Sequence, residues 1–293
     1  ADIELKDLNG NIIPKGTPNV YVPVDKANGY WQWASYHEHN LNAIVKDDTK
    51  LTIENVRMWK GTVPMSKPVF ITSDSTCDLT PELLERFNVK TAPLHVLLGE
   101  DTYLDGVDFT QEMIFERYAK DKTLPRTAAV SPQEFTDFFT PLVEAGYEVI
   151  FLSISSGLSG TYQNAVIAAQ DLPGIYPIDT HKLTTGVGEM VLAACKMRDE
   201  GMDAASIALA MEAMIPRVNV SFVIDTLEYM WKGGRCTGVA AFGANLLNLK
   251  PCIEMRDGKL EVCKKYRGNI EKVYHKYITE RLSAQPVDPN YIF

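Results

Sequence analysis

The pattern of hydrophobic and polar positions changes character after Pro68. Before it, three valines occupy alternate positions over residues 20–24, Asn28 and Gly29 offer a two-residue turn, and an aromatic run follows. That combination is typical of a β-hairpin. It predicts a small β-rich module over residues 1–66.

Beyond Pro68, short apolar runs alternate with stretches of helical spacing. Apolar runs ending in polar residues predict strands at 69–76, 90–98, 148–155 and 174–180. Apolar side chains three or four positions apart predict helices at 81–88, 110–121, 131–146, 160–172 and 186–200. Strands that alternate with helices in this way predict a parallel sheet with crossover helices.

Two of these helices carry start signals. Ser131 is followed by Pro132 and then by Glu134, which predicts a capping box with proline at the first helical position. Thr110 is expected to cap the helix that has Glu112 in its first turn.

From about residue 217 the order of elements differs. The pattern predicts a strand at 220–227, then a short helix ending in glycines at 227–234 and a second helix at 240–248. A hairpin at 251–265, a longer helix at 269–282 and the start of a buried strand at 290–293 follow. Because the chain stops inside that last apolar run, the second lobe is expected to be incomplete at its C-terminus.

The hairpin has a specific predicted register. A two-residue turn at Asp257 and Gly258 pairs Met255 with Leu260, and it places the next apolar pair on the same face. One face of this hairpin is therefore expected to be buried.

The expected fold class is α/β. A parallel-sheet lobe with crossover helices is predicted over residues 67–216. A second α/β lobe that contains the antiparallel hairpin is predicted over residues 217–293, and the small β-rich module precedes both.

Composition and charge exclude several function classes. Hydrophobic residues make up 45% and charged residues 23%, as in soluble globular proteins, and every apolar run is too short for stable membrane insertion. A net charge of −9 disfavours nucleic-acid binding. The five cysteines include no CxxC pair, which indicates reduced thiols in a cytoplasmic protein and not a zinc site.

Hydroxyl clusters follow two of the predicted strands, at residues 72–76 and 153–161. Ligands bind past the carboxyl ends of parallel strands, and small residues before a helix let backbone N–H groups point at an anion. The alternative is that these serines are caps and turn formers. Both interpretations of the second cluster stay open.

Two further patterns have structural alternatives. Glycine-flanked Lys232 and Arg235 are suited to an anionic ligand head or a partner's phosphate, and the same glycines are compatible with a helix C-cap. His37 and His39 flank Glu38, where a solvated loop is favoured over a metal site.

Enzyme chemistry is the rival interpretation of the hydroxyl clusters. A serine-dependent hydrolase or phosphotransferase would use Ser159, or Ser75 with Asp74, and would need a base within hydrogen-bond reach of the serine. In the motifs only His181 stands near either serine, and the neighbouring Cys77 is expected to be a small buried thiol.

Residues 69–293 resemble the DegV family of bacterial fatty-acid-binding proteins, the acyl-carrying subunits of fatty acid kinase. The matching stretches are ITSDSTCDL (71–79), PRTAAVSPQEF (125–135), ISSGLSGTYQNA (154–165), PIDTHKLTTGVG (177–188) and FVIDTLEYMWKGGR (222–235). They follow the family order over about three quarters of the chain. The family fold is two α/β lobes that enclose one long-chain fatty acid.

The resemblance implies a non-catalytic lipid carrier with no metal and no cofactor other than the bound fatty acid. It implies that Thr127 and Ser159, with the Gly160 amide, hold the carboxylate. It also implies that Arg235 lies near the acyl head, where the catalytic subunit of the kinase delivers phosphate. Ser75 and Asp74 are further candidates at the head group.

The implied partners are a long-chain fatty acid and the kinase, with no nucleic acid and at most transient contact with a membrane surface. Three features depart from the family pattern. Ala128 stands where serine is common, the sequence ends before the family's closing His-x-Gly-Pro-Gly segment, and residues 1–67 have no family counterpart.

Overall fold

A computed structural model describes residues 20–25, 30–34, 67–225, 228–237, 249–284 and 286. Contacts between Cα atoms divide the chain into two compact units, Ala1–Met65 and Ser66–Phe293. The division of the second unit into two lobes at residue 216 stays a prediction.

The first unit contains a pair of antiparallel strands, β1 (Val20–Asp25) and β2 (Tyr30–Ala34). The strands of the predicted hairpin are therefore confirmed. The predicted turn at Asn28 and Gly29 lies outside the described residues, as does the rest of this module.

The second unit holds the remaining elements. Its strands are β3 (Val69–Asp74), β4 (Lys90–Ala92), β5 (His95–Leu98), β6 (Asp101–Leu104), β7 (Arg126–Ala128), β8 (Glu148–Ser153), β9 (Ile175–Asp179), β10 (Ser221–Val223), β11 (Cys236–Thr237), β12 (Leu249–Arg256) and β13 (Lys259–Arg267). Its α-helices are α1 (Pro81–Arg86), α2 (Gln111–Asp121), α3 (Pro132–Glu144), α4 (Thr161–Ala169), α5 (Thr185–Asp199), α6 (Ala204–Met214), α7 (Glu228–Gly233) and α8 (Ile270–Ala284). Among the described helices, none has the length and apolar character needed to cross a membrane.

A four-stranded parallel sheet with the order β4-β3-β8-β9 forms the centre of the first half. Alternate residues of its strands enter two separate cores. Phe70 and Phe151 pack with helices α3 and α4, whereas Ile71 and Ile150 pack with helices α5 and α6. The predicted parallel sheet with crossover helices is thus confirmed as a sheet covered by helices on both faces.

The predicted single strand over residues 90–98 is wrong. It is two strands that belong to different sheets, because Pro93 interrupts the ladder between β4 and β5. Strand β5 pairs antiparallel with β6 and β7 in a separate three-stranded sheet. Strand β7 was not predicted, because its three residues are all exposed and show no alternation of apolar and polar side chains.

The helix start signals were correct in one case and incomplete in the other. The Ser131 hydroxyl accepts a hydrogen bond from the Glu134 amide, and the Glu134 carboxylate accepts one from the Ser131 amide, which is the predicted capping box. Thr110 occupies the N-cap position of α2, but its side chain makes no capping hydrogen bond. Helix α6 was not predicted; Asp203 caps it by accepting from the Ser206 amide.

The second half is built on a sheet with the order β10-β12-β13-β11. Its central hairpin has the predicted register, with Met255 opposite Leu260 and Ile253 opposite Val262. The first three of these side chains are buried and Val262 is half-buried, so the predicted buried face is confirmed.

The turn of that hairpin is as tight as predicted. Asp257 and Gly258 both have positive φ angles, of 46° and 74°, which is typical of a two-residue hairpin turn. Strand β10 is shorter than predicted, while the helix expected at 240–248 and the strand expected at 290–293 lie outside the described residues.

Candidate functional site

Asp74 ties together the carboxyl ends of β3 and β8. Its Oδ1 accepts from the Thr76 amide at 3.1 Å and from the Thr76 hydroxyl at 2.5 Å. Its Oδ2 accepts from the Ile154 amide at 2.7 Å and from the Ser153 hydroxyl at 3.2 Å. Burial raises the pKa of Asp74, and these hydrogen bonds act in the opposite direction. Asp74 is therefore a fully buried anchor of the sheet edge.

Ser75 begins the short 3₁₀ turn that follows β3, and it is half-buried. Its hydroxyl accepts a hydrogen bond from the Leu94 amide at 3.2 Å. Among the hydrogen bonds found in the described part of the chain, none joins Ser75 to Asp74. The geometry therefore does not pair Ser75 with Asp74, as the hydrolase interpretation requires.

Cys77 is buried in the same turn. Burial is the largest cause that raises the pKa of its thiol, to about 11. The thiol is thus protonated at neutral pH and has little nucleophilic character. This agrees with the expectation of a small buried thiol.

The loop after β8 is hydrogen-bonded to the end of β9 and to the loop that follows β9. The Ser155 amide donates to the Lys182 carbonyl at 2.9 Å, and the Ser156 amide donates to Asp179 Oδ1 at 3.1 Å. The Ser155 hydroxyl donates to the carbonyl of Gly258 at 2.7 Å. The tip of the β12–β13 hairpin therefore docks directly on this loop.

Gly157 and Gly258 permit that docking. A Cβ atom on Gly157 would lie 2.4 Å from the Gly258 carbonyl oxygen. A Cβ atom on Gly258 would lie 2.7 Å from Ser155 Oγ and 2.8 Å from His181 Nδ1. Sequence reasoning did not find this contact, although a glycine on each side of it was the available signal.

We expect Gly157→Ala to destabilise the protein by about 1–3 kcal/mol, because backbone must move to relieve the overlap with Gly258. Urea unfolding followed by circular dichroism measures the change. Gly233→Ala is the matched control, since a Cβ there meets nothing within 4 Å. Equal stability of the two variants would contradict the close approach of hairpin and loop.

Ser159 and Gly160 form the start of helix α4. Gly160 is the N-cap residue, with φ −75° and ψ 0°. Ser159 Oγ accepts from the Thr161 amide at 3.3 Å and lies 2.8 Å from Thr161 Oγ1. The serine therefore has the turn-forming role of the structural interpretation. Because Gly160 is exposed at a helix N-terminus, the same turn also presents the positive end of the helix dipole to an anion.

Thr127 lies on β7 and is joined to Arg235 across the fold. Arg235 Nη2 donates to Thr127 Oγ1 at 3.3 Å, and its Nη1 donates to the Gly233 carbonyl at 2.8 Å. Both Thr127 and Arg235 are exposed. Two residues that are distant in sequence, and that the family resemblance assigns to the same head group, thus meet at one point.

The segment after Thr127 also reaches the start of helix α4. A Cβ built on Gly160 would lie 3.9 Å from that of Ala129, two residues beyond Thr127. Asn164 Nδ2 in α4 donates to the Val130 carbonyl at 2.7 Å. The structure therefore places the Ser159–Gly160 turn beside the strand that carries Thr127.

An apolar cluster adjoins this group. Its buried members, Ile253, Met255 and Leu260, come from the β12–β13 hairpin. Partly buried side chains pack against them: Leu158, Leu183, Val220, Phe222, Ile224, Met230, Cys236 and Val262. Since Leu158 immediately precedes Ser159, polar groups suited to an anion stand next to apolar surface.

Among the described residues there is no group of three or more His, Cys, Asp or Glu side chains that could hold a metal ion. The candidate at His37, Glu38 and His39 lies outside the described residues. All five cysteines fall within the described ranges, and all are free.

Fold and site together define an α/β protein in which hydroxyl groups, a helix N-terminus and an arginine meet beside an apolar cluster. A family model described as "Uncharacterised protein, DegV family" matches residues 68–287. A DegV domain-containing protein of Deinococcus radiodurans is 36% identical over 201 residues, which are 68% of this chain and 72% of the relative. One of Clostridium acetobutylicum is 34% identical over the same shares. The chain belongs to the DegV family, as its motifs predicted.

Solved structures show the same fold. A DegV family protein from Thermus thermophilus, described by its fatty acid binding, has a TM-score of 0.69 and 34% identity over 74% of this chain and 77% of its own. A stearic-acid-binding protein from Eubacterium ventriosum has a TM-score of 0.63 and 30% identity over 72% and 77%. These likenesses support the α/β fold class predicted from the sequence.

Proposed function

We propose that this chain binds one long-chain fatty acid and holds its carboxylate at Thr127, Ser159 and the Gly160 amide. One observation carries the proposal. The β7 strand with Thr127, the Ser159–Gly160 turn and Arg235 meet at one edge of the fold, and Leu158 links that edge to the apolar cluster.

The polar groups proposed to hold the carboxylate are hydrogen-bond donors, which a carboxylate needs. A buried carboxylate without partners would cost several kcal/mol or more. Two hydroxyl donors and a helix-end amide satisfy its oxygens, and hydrogen bonds to a charged group are the stronger kind. The site would need no catalytic base in this chain, in line with a carrier.

The apolar chain would supply the driving force. Burial contributes ~0.8 kcal/mol per CH₂ group, so about fifteen of them contribute ~12 kcal/mol. Immobilising the ligand offsets a large part of that gain. In the proposal, the tail lies along the apolar cluster of the hairpin face.

Two relatives support the choice of ligand. The Thermus thermophilus protein is described by its fatty acid binding and the Eubacterium ventriosum protein as binding stearic acid. Both share at least 30% of their aligned residues with this chain.

The finer proposal is that the bound acid is presented to a fatty acid kinase, which forms the acyl phosphate. Arg235 would meet the arriving phosphate, because a guanidinium has five N–H donors and two serve Gly233 and Thr127. Such a carrier would act in the cytoplasm, in line with its five free thiols, with transient contact at a membrane surface.

We expect the purified protein to carry about one long-chain fatty acid per chain. Mass spectrometry of an organic extract, calibrated against protein concentration, measures the amount and the chain length. The Thr127→Ala/Ser159→Ala variant, purified in parallel, should carry much less. An extract free of lipid, together with no binding of a fluorescent fatty acid, would overturn the proposal.

A further inference from the structure

A cavity that is remote in sequence from the Thr127 and Ser159 segments lies between strands β12 and β13 and helix α8. Its volume is about 570 Å³. It is lined by five cationic side chains, Lys264, Lys265, Arg267, Lys272 and Lys276, and by three apolar or aromatic ones, Leu249, Tyr266 and Val273. We call it the basic groove.

The basic groove is positively charged, whereas the chain as a whole is negatively charged. No acidic residue is among the described residues that line it, although the whole chain has a net charge of −9. The five cationic side chains are all exposed. Like charges gathered in this way repel one another, so their field favours an anion.

The Glu280 carboxylate contacts two of the lining side chains and relieves part of this repulsion. Glu280 Oε2 accepts from Lys264 Nζ at 2.7 Å and from the Tyr266 hydroxyl at 2.6 Å. The hydrogen bonds from Lys264 and Tyr266 are the main cause that lowers the pKa of Glu280, and Lys276 adds to them. Among the described residues, Arg267 and Lys272 make no ion pair. At least two of the five cations therefore have no ion-pair partner in the part of the chain that the structure describes.

The floor of the basic groove is fixed. Tyr266 and Val273 are 5% and 3% exposed and belong to one core cluster. The ring of Tyr266 packs edge-on against that of Tyr277, and its hydroxyl is bonded to Glu280. The cationic side chains thus surround a rigid concave surface.

We propose that the basic groove binds a compact soluble anion with two or more phosphate groups. A concave site ringed by cations gives several charge-assisted hydrogen bonds to one polyphosphate. An anionic bilayer fits less well, because it would face a wide area of a chain with net negative charge. The proposal does not depend on fatty-acid binding.

The test is titration of the full chain with inorganic tripolyphosphate by isothermal calorimetry at low ionic strength. We expect saturable binding at one site. Lys272→Gln combined with Lys276→Gln should weaken it by about tenfold or more, because bonds to charged groups are the stronger ones. Glutamine keeps a high helix propensity, so α8 should stay folded, which circular dichroism checks.

The matched control is Lys120→Gln combined with Lys196→Gln, which removes two exposed lysines from other helices and changes the net charge equally. It should alter the affinity by less than about twofold, because salt screens the interaction between a bound anion and surface charges that lie far from it. Equal losses in both double variants, or no saturable binding by the parent chain, would overturn the proposal. So would binding to phosphatidylglycerol vesicles that needs Lys272 and Lys276 when tripolyphosphate does not bind.

Discussion

Replacing Thr127 and Ser159 together by alanine is expected to weaken binding of a free long-chain fatty acid by about 100-fold or more. Each hydroxyl would donate to a carboxylate, and such bonds contribute ~1.5–3 kcal/mol each, where ~1.4 kcal/mol is tenfold in affinity. The methyl ester of the same acid has no charge to satisfy. Its affinity should therefore fall much less.

Displacement of a fluorescent fatty acid, by the acid and by its ester, measures both losses. Thr102→Ala combined with Ser283→Ala is the matched control, since it deletes one exposed threonine and one exposed serine hydroxyl elsewhere. The control should bind both ligands as the parent does. If the site variant lost acid and ester equally, the substitutions would have damaged the fold or the apolar surface instead.

The architecture was predictable wherever a periodic pattern continued over several residues. Phe70 and Ile71 face opposite cores because neighbouring strand residues point to opposite sides, and the unbroken apolar run over residues 69–71 is typical of a strand that is buried on both faces. The β12–β13 register followed from a turn signal flanked by alternating apolar residues. Strand β7 has three exposed residues and offered neither signal.

The candidate site was predictable in its parts and not in its assembly. Ligands bind past the carboxyl ends of parallel strands, which is why the hydroxyl clusters after β3 and β8 were each chosen as candidates. The contact between Arg235 and Thr127 joins residues 108 positions apart. No local pattern reports such a contact, so only the family resemblance grouped these residues in advance.

Arg235 connects the proposed lipid site to its proposed partner. Its guanidinium is exposed and is oriented by the Gly233 carbonyl and the Thr127 hydroxyl. A planar guanidinium recognises phosphate oxygens through paired N–H donors. In the proposed transfer it would stabilise charge on the phosphate at the moment of reaction, whereas Thr127 and Ser159 hold the acid beforehand.

We therefore expect Arg235→Ala to lower the rate of acyl-phosphate formation by a fatty acid kinase by about 100-fold or more, the usual loss when one donor to a transition-state charge is removed. Binding of the free acid should weaken by less than about tenfold, because the two hydroxyls and the Gly160 amide remain. Single-turnover assays with the lipid-loaded carrier measure the rate, and displacement of a fluorescent fatty acid measures the affinity. Arg86→Ala, which removes an exposed arginine from helix α1, should change neither. If Arg235→Ala lost the lipid as readily as the double hydroxyl variant, Arg235 would be a carboxylate ligand and its assignment to phosphate would be wrong.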